Sequence, residues 1–254
     1  MPRSPAPTTA TDQAVHVLAF DTSTERLALA LGAQQADFTH IADGGTMASA
    51  TLLPQARALL QAAGLDWADL DFIAFGSGPG AFTGLRTACA VAQGLGLGLG
   101  KPLLPIDSLL IVAEDARGRL ADPDGPLDIG VAMDARMDEA YAACYRWSHG
   151  AWQVLRAPAL YTLPALAQAW AGRPLRALAG SALAAFGPRL VLPEAQRLET
   201  EHDRAAALLR LARQQAACGA GIDAAQALPQ YLRDKVALTT VEREAVRQAK
   251  AAAA

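Results

Sequence analysis

Residues 75–100 read F-G-S-G-P-G-A-F-T-G-L-R-T-A-C-A-V-A-Q-G-L-G-L-G-L-G, and they decide how the rest of the chain is read. The apolar run 71–75 before the loop has the length of a buried strand, and the run after it has the length of a helix. Between them lie Gly76, Gly78, Pro79 and Gly80. Glycines so closely spaced let backbone come near something, while Pro79 fixes one φ and removes one N–H donor. A phosphate-binding P-loop is excluded, because no start at Gly76, Gly78 or Gly80 supplies the lysine of G-x-x-x-x-G-K-[ST]. A dinucleotide fingerprint, G-x-G-x-x-G/A, is matched from Gly76 to Ala81, and Asp107 closes the next apolar run where a ribose-binding acid could sit. Against it stand Pro79, an imide where pyrophosphate wants a donor, and the position of the unit well inside the domain.

The whole chain of 254 residues suits one large domain or two lobes with a sizeable core. Hydrophobic residues make up 52% and charged residues 19%, which excludes a disordered chain. A formal charge of −3 argues against a protein that grips nucleic acid alone, since phosphate contacts need clustered Lys and Arg. The 3 cysteines, Cys89, Cys144 and Cys218, are far apart and read as reduced core residues of a cytoplasmic protein. No secretory signal is visible, and the longest apolar run, around 88–99, is too short and glycine-broken to span a bilayer.

Residues 1–14 read as a disordered leader. An apolar strand at 15–20 then ends on Asp21-Thr22-Ser23-Thr24, followed by strands at 27–31 and 36–41. A helix at 49–63 stops at Gly64, and Pro54 places its start near 50–52. The strand at 71–75 and the glycine loop complete a first lobe, 15–108. The second lobe, 109–236, repeats the pattern: a helix at 109–120, strands at 127–133, 140–147 and 152–157, then a helix at 163–171 capped by Thr162 with Pro164 in its first turn. A strand at 176–179, a Gly180-Ser181 turn and a long helix at 203–217, one able to return to the first lobe, follow. Residues 237–254 read as a tail helix with a Thr239–Glu242 capping box. Two lobes of this kind resemble an α/β, actin-like duplicated fold.

The catalytic inventory is thin. The 4 histidines lie singly, no metal-ligating spacing occurs, and no nucleophile elbow is present. Asp21 and Thr22 stand where actin-like enzymes wrap phosphate, yet Ser23 replaces the glycine such a turn needs. They are candidates for a vestigial nucleotide site, or simply cap a hairpin turn. Asp134 and Arg136, two apart at a strand end, read either as a catalytic pair or as a hairpin brace. Arg86 opposes the dipole of its own helix, so a partner carboxylate is expected.

Gly78-Pro79-Gly80-Ala81-Phe82-Thr83-Gly84-Leu85-Arg86, Ala92-Gln93-Gly94-Leu95 and Lys101-Pro102-Leu103 closely resemble the TsaB (YeaZ-like) family. So do Asp21-Thr22-Ser23-Thr24, the Asp134–Tyr141 segment and the Pro229–Val236 ending. The family's H-S-E-T-L-L-P is replaced by Ala48-Ser49-Ala50-Thr51-Leu52-Leu53-Pro54, so any role of that His and Glu does not carry over. The resemblance implies a non-catalytic dimerisation subunit without cofactor or metal. It implies a pairing with a catalytic TsaD-type subunit, an accessory TsaE-type ATPase, a homodimer when alone, and tRNA reached only through the complex. The rival reading is an actin-like ATPase or kinase using Asp21 and the glycine loop, with an NAD(P)-binding oxidoreductase behind it. The expected partner face combines Leu52, Leu53, Ala56, Leu59 and Leu60 with Thr83, Arg86, Thr87, Ala90, Val91, Gly94 and Gly98. In that seam small residues let a second helix approach. Leu85, Cys89, Ala92 and Leu99 are expected to face the sheet. The ladder Gly94, Gly96, Gly98, Gly100 is expected to lie where backbone packs too close for a Cβ.

Overall fold

The computed structural model describes residues 15–34 and 36–233. The leader, the tail helix and 234–236 of the chain's ending lie outside them. The first sheet takes the order β3-β2-β1-β4-β5, with β1 (Val17–Asp21), β2 (Arg26–Gly32), β3 (Asp37–Asp43), β4 (Phe72–Gly78) and β5 (Leu103–Asp107). β1 runs antiparallel to β2, and β2 to β3, whereas β1, β4 and β5 are parallel. Every residue of β1 is buried, because both faces of the sheet are covered.

The two faces differ in size. Leu18, Phe20, Leu27, Leu29, Leu31, Ile73 and Phe75 point to one side, against α1 (Ala48–Ala62) and α2 (Phe82–Leu99). The alternate residues Val17, Ala19, Ala28, Ala30, Ala74 and Ile106 point to the other, where α6 (Arg204–Ala217) lies with Ala205, Leu208, Leu209 and Ala212. Alternation along each strand sorts the side chains, and the small ones bring α6 close to the sheet. A helix from the second half of the sequence thus closes the core of the first sheet.

The second sheet repeats the first: β8-β7-β6-β9-β10, with β6 (Leu127–Asp134), β7 (Glu139–Ser148), β8 (Ala151–Thr162), β9 (Ala177–Ala179) and β10 (Gln196–Leu198). Its pairing senses match strand for strand. One face packs on α3 (Ser108–Arg117) through Leu109, Val112 and Ala116. The other packs on α4 (Leu163–Trp170) and α5 (Ala182–Phe186) through Leu166, Trp170, Leu183 and Phe186. No helix of the described residues is long and apolar enough to cross a membrane.

Several boundaries differ from the sequence reading. α1 begins at Ala48 and holds Pro54 in its interior. The missing hydrogen bond is outweighed by the buried stripe Leu52, Ala56 and Leu60 on one face. β4 runs through Gly76 to Gly78, so half of the expected loop is strand. α3 stops at Arg117, and β8 extends to Thr162. α5 and β10, with five and three residues, are too short to show a period in the sequence.

Candidate functional site

The turn Asp21-Thr22-Ser23 after β1 is buried, at 0%, 1% and 4% exposure. Gly76, Gly80 and Gly84 are what allow it to be. A Cβ on Gly76 would collide with the Asp21 carboxylate, one on Gly84 with the Thr22 carbonyl, and one on Gly80 would lie 2.5 Å from the Ser23 carbonyl oxygen. What approaches the glycine loop is the chain's own turn. Thr22 Oγ1 donates to the Gly84 carbonyl at 2.7 Å, and the Ala81 amide donates to the Ser23 carbonyl at 2.7 Å.

Asp21 is the centre of a buried polar cluster. Its Oδ1 accepts from the Ser23 amide at 2.7 Å and from Ser23 Oγ at 2.6 Å; its Oδ2 accepts from Ser108 Oγ at 2.9 Å. Arg204, in the first turn of α6, places Nη2 at 3.3 Å from Oδ2, and donates to Ser23 Oγ at 3.0 Å and to the Ser108 carbonyl at 3.2 Å. Its Nη1 meets Glu201 at 2.7 Å. Burial pushes the Asp21 carboxyl up, but the Arg204 charge and the hydroxyl and amide donors outweigh it and hold the group below the usual carboxylate range. Burial alone would lower Arg204; Asp21 and Glu201 raise it instead, so both members stay ionised. The Asp21 carboxylate is thus matched by an internal guanidinium.

The cluster forms the floor of a cleft of about 660 Å³ between the two sheets. Its mouth is bridged by Arg136, whose Nη2 lies 2.9 Å from Glu25 of the β1–β2 turn. Arg136, Met137 and Asp138 all have positive φ, at 64°, 57° and 58°, an uncommon left-handed turn for non-glycine residues. Arg233 fastens it, donating to the Ala135 carbonyl at 2.9 Å and pairing with Glu139 at 2.8 Å. Asp134 and Arg136 therefore brace the β6–β7 turn and the cleft mouth. Asp107 is engaged as well. It caps α3 through the Leu109 and Leu110 amides and accepts from Tyr145 Oη of the second sheet at 2.5 Å. The dinucleotide reading loses its ribose-binding acid.

The expected partner face divides. Leu52, Ala56 and Leu60 are 0%, 0% and 1% exposed and belong to the core, so no partner reaches them; they recur at four-residue steps and face the sheet. Leu53 is exposed and Leu59 half-buried on the outer side of α1. On α2, Thr83, Arg86, Ala90 and Gly94 are exposed, while Thr87 and Val91 are half-buried. Leu85, Cys89 and Ala92 face the sheet as expected, and Leu99 packs half-buried against the same core. The glycine ladder also divides. A Cβ at Gly96 would meet Leu103 at 2.8 Å and Ala224 at 2.9 Å, whereas Gly94 and Gly98 face open space. Arg86 finds an aromatic partner where a carboxylate was expected. It donates to Tyr231 Oη at 3.0 Å and stacks at 3.9 Å over Phe82, which itself lies 5.0 Å from the Tyr231 ring.

Sequence reasoning missed Arg204 and Ser108. One signal was available, since Arg204 is a basic residue in the first turn of a helix, a place that calls for a specific carboxylate. The same argument, applied to Arg86, pointed to the wrong residue. Among the described residues, no group of three or more His, Cys, Asp or Glu side chains is arranged to hold a metal ion.

Two five-stranded sheets of matching order, with α3 and α6 between them and a cleft at the ends of their first strands, define a two-lobe protein of the actin-like ATPase type. The family model described as TsaD, tRNA N6-adenosine threonylcarbamoyltransferase, matches residues 47–197. The tRNA threonylcarbamoyladenosine biosynthesis protein TsaB of Escherichia coli is 33% identical over 139 residues, 54% of this chain and 58% of that protein. The protein of the same name from Haemophilus influenzae is 38% identical over 133 residues, 51% of this chain and 53% of that protein. The chain thus spans little more than half the length of these curated relatives. A Pseudomonas aeruginosa crystal structure described as similar to peptidase YEAZ is 35% identical, with a TM-score of 0.77 over 86% of this chain and 100% of that one. A second structure, YeaZ from the same organism, is 34% identical with a TM-score of 0.75 over the same shares. The chain belongs to the TsaB family.

Proposed function

We propose that this chain is a non-catalytic dimerisation subunit of the cytoplasmic machinery that adds a threonylcarbamoyl group to the anticodon-adjacent adenosine of tRNA. It pairs with a catalytic TsaD-type subunit, with a TsaE-type ATPase as accessory, and meets tRNA only within that complex. The names of the curated relatives and of the matching family model support the process. The observation that carries the scaffold role is the outer face of α2. Thr83, Thr87, Ala90, Val91, Gly94 and Gly98 run along it at near-helical steps, with Gly94 and Gly98 open to solvent and Leu53 and Leu59 of α1 beside them. Each glycine inside a helix costs about 1 kcal/mol relative to alanine. No contact among the described residues repays that cost at Gly94 or Gly98, and a partner helix that packs against bare backbone does. The same face on a second copy makes a self-complementary two-fold contact, the homodimer formed in the absence of the catalytic subunit. The Asp21–Arg204 pair supports the non-catalytic half of the reading, because it consumes the carboxylate an ATPase would need.

The test is Val91→Asp, which sets a carboxylate in the middle of the seam. The variant should keep its far-ultraviolet circular dichroism, run as a monomer by light scattering, and fail to co-elute with a TsaD-type partner. Co-elution at wild-type affinity would move the interface elsewhere. A dose-dependent thermal shift with Mg–ATP on the isolated chain would favour the ATPase reading.

A further inference from the structure

Residues 227–233 run from one lobe to the other across the mouth of the cleft. In the first lobe the segment is seated on α2 and β4. The Ala227 carbonyl accepts from Gln93 Nε2 at 2.9 Å, and the Gln230 amide donates to the Ser77 carbonyl at 2.7 Å. A Cβ on Gly78 would lie 2.7 Å from the Gln230 carbonyl oxygen, and the φ of +114° there also suits glycine, so this position makes room for the segment. Tyr231 then stacks on Phe82 at 5.0 Å and accepts from Arg86 Nε at 3.0 Å. Just beyond it the chain is held by the second lobe. Arg233 donates to the Ala135 and Arg136 carbonyls at 2.9 and 3.4 Å and to Met137 Sδ at 3.1 Å, and it pairs with Glu139 at 2.8 Å. Leu232 separates the two anchors, and Gln230, Tyr231, Leu232 and Arg233 all line the cleft.

The anchors differ in strength and in what they touch. The Arg233 side chain is 15% exposed, and it binds the carbonyls where the left-handed run Arg136–Asp138 begins. Backbone of that kind persists when its surroundings over-determine it, and Arg233 supplies much of that hold. The other tie across the mouth, Arg136 to Glu25, joins two largely exposed side chains, and such pairs contribute little. Tyr231 is partly exposed, and its partner Arg86 is exposed on α2 beside Thr83 and Thr87. A residue of the outer face of α2 is thus linked, through one aromatic ring and Leu232, to the fastening of the other lobe.

We propose that residues 230–233 are an interlobe latch: Arg233 keeps the cleft closed, and Arg86, through Tyr231, sets how firmly it is held. Contacts made at Arg86 on α2 then control access to the cleft. What a partner does at Arg86 rests on the scaffold reading, but the latch itself does not, and it is tested on the full chain alone. Met133→Cys places a thiol on the half-buried cleft wall, in a Cys218→Ser background where the remaining cysteines, Cys89 and Cys144, are buried. Reaction with a nitrobenzoate disulfide reagent is followed by absorbance, and its rate tracks the open fraction when opening is fast. Arg233→Gln should raise the rate of the introduced thiol at least about tenfold, the weight of one hydrogen bond made by a charged group. Arg86→Met and Tyr231→Ala should each raise it about two- to fivefold, as expected for an exposed cation–aromatic contact. Glu25→Gln should change it less than about twofold. Cys89 and Cys144 should stay unreactive throughout, which separates opening from unfolding. Equal rates across the series, a faster reaction in Glu25→Gln than in Arg233→Gln, an unchanged rate in Arg86→Met, or reaction of all three thiols together would each overturn the latch. An interface that survives Val91→Asp leaves these rates as expected, so the two readings fail separately.

Discussion

Replacing Arg204 with methionine isolates the electrostatics of the cleft floor, because methionine keeps the aliphatic stem and removes only the guanidinium. Asp21 is 0% exposed and Arg204 5%, so neither charge can turn to bulk water when the other is lost. Removing one partner of a buried ion pair costs about 3–5 kcal/mol. Asp21 retains three donors, the Ser23 amide, Ser23 Oγ and Ser108 Oγ, which places the expected loss near the lower end, about 3 kcal/mol. For a chain of this size that is a fall of about 6–12 °C in the unfolding midpoint. Adding Asp21→Asn removes the uncompensated charge and should recover at least half of the loss. The pH dependence supplies a second readout. In the wild type the folded Asp21 lies below its unfolded value of about 3.9, so its contribution is present above that pH and disappears as pH falls through the folded value. In Arg204→Met burial prevails and the folded value rises above the unfolded one, so the variant gains relative stability as pH falls from 7 toward 4. Urea denaturation followed by circular dichroism at pH 7, 6 and 5 measures both effects. A gap between the two proteins that stays constant with pH, or a double variant no more stable than Arg204→Met, would refute the assignment of Arg204 as the neutralising charge.

Gly96→Leu should lower stability by about 1–3 kcal/mol through overpacking against Leu103 and Ala224, whereas in the monomeric Val91→Asp background, where no partner helix covers them, Gly94→Ala and Gly98→Ala should each raise it by about 0.5–1 kcal/mol, all read from urea midpoints. Asp107→Asn keeps the cap on α3 and the acceptor for Tyr145 but removes a buried charge. Burial raises the Asp107 carboxyl more than the Tyr145, Leu109 and Leu110 donors lower it, so its contribution is fully present below about pH 3.9 and lost as pH rises through the folded value. The variant should therefore match or exceed the wild type at pH 7 and lose that advantage toward pH 4, as followed by thermal unfolding across that range.

The alternating and continuous apolar runs already specified two copies of one strand–helix pattern, because burial on one or both sides of a strand imposes a period that survives in the bare sequence. The stretch 75–100 likewise announced close backbone approach, and α2 and the Thr162 cap on α4 stand where the spacing put them. Periodicity could not say what approached. The glycines at 76, 80 and 84 read equally well as a cradle for phosphate, and only the folded chain shows the Asp21 turn filling that space. Nor could spacing tell which leucines of α1 face outward, because Leu52 and Leu53, or Leu59 and Leu60, are adjacent in sequence and about 100° apart on a helix, so the sheet's position assigns the sides. The pairing of Asp21 with Arg204 joins residues 183 positions apart. It exists because α6 crosses back onto the alanine-lined face of the first sheet, and a contact made by that return leaves no local pattern to read.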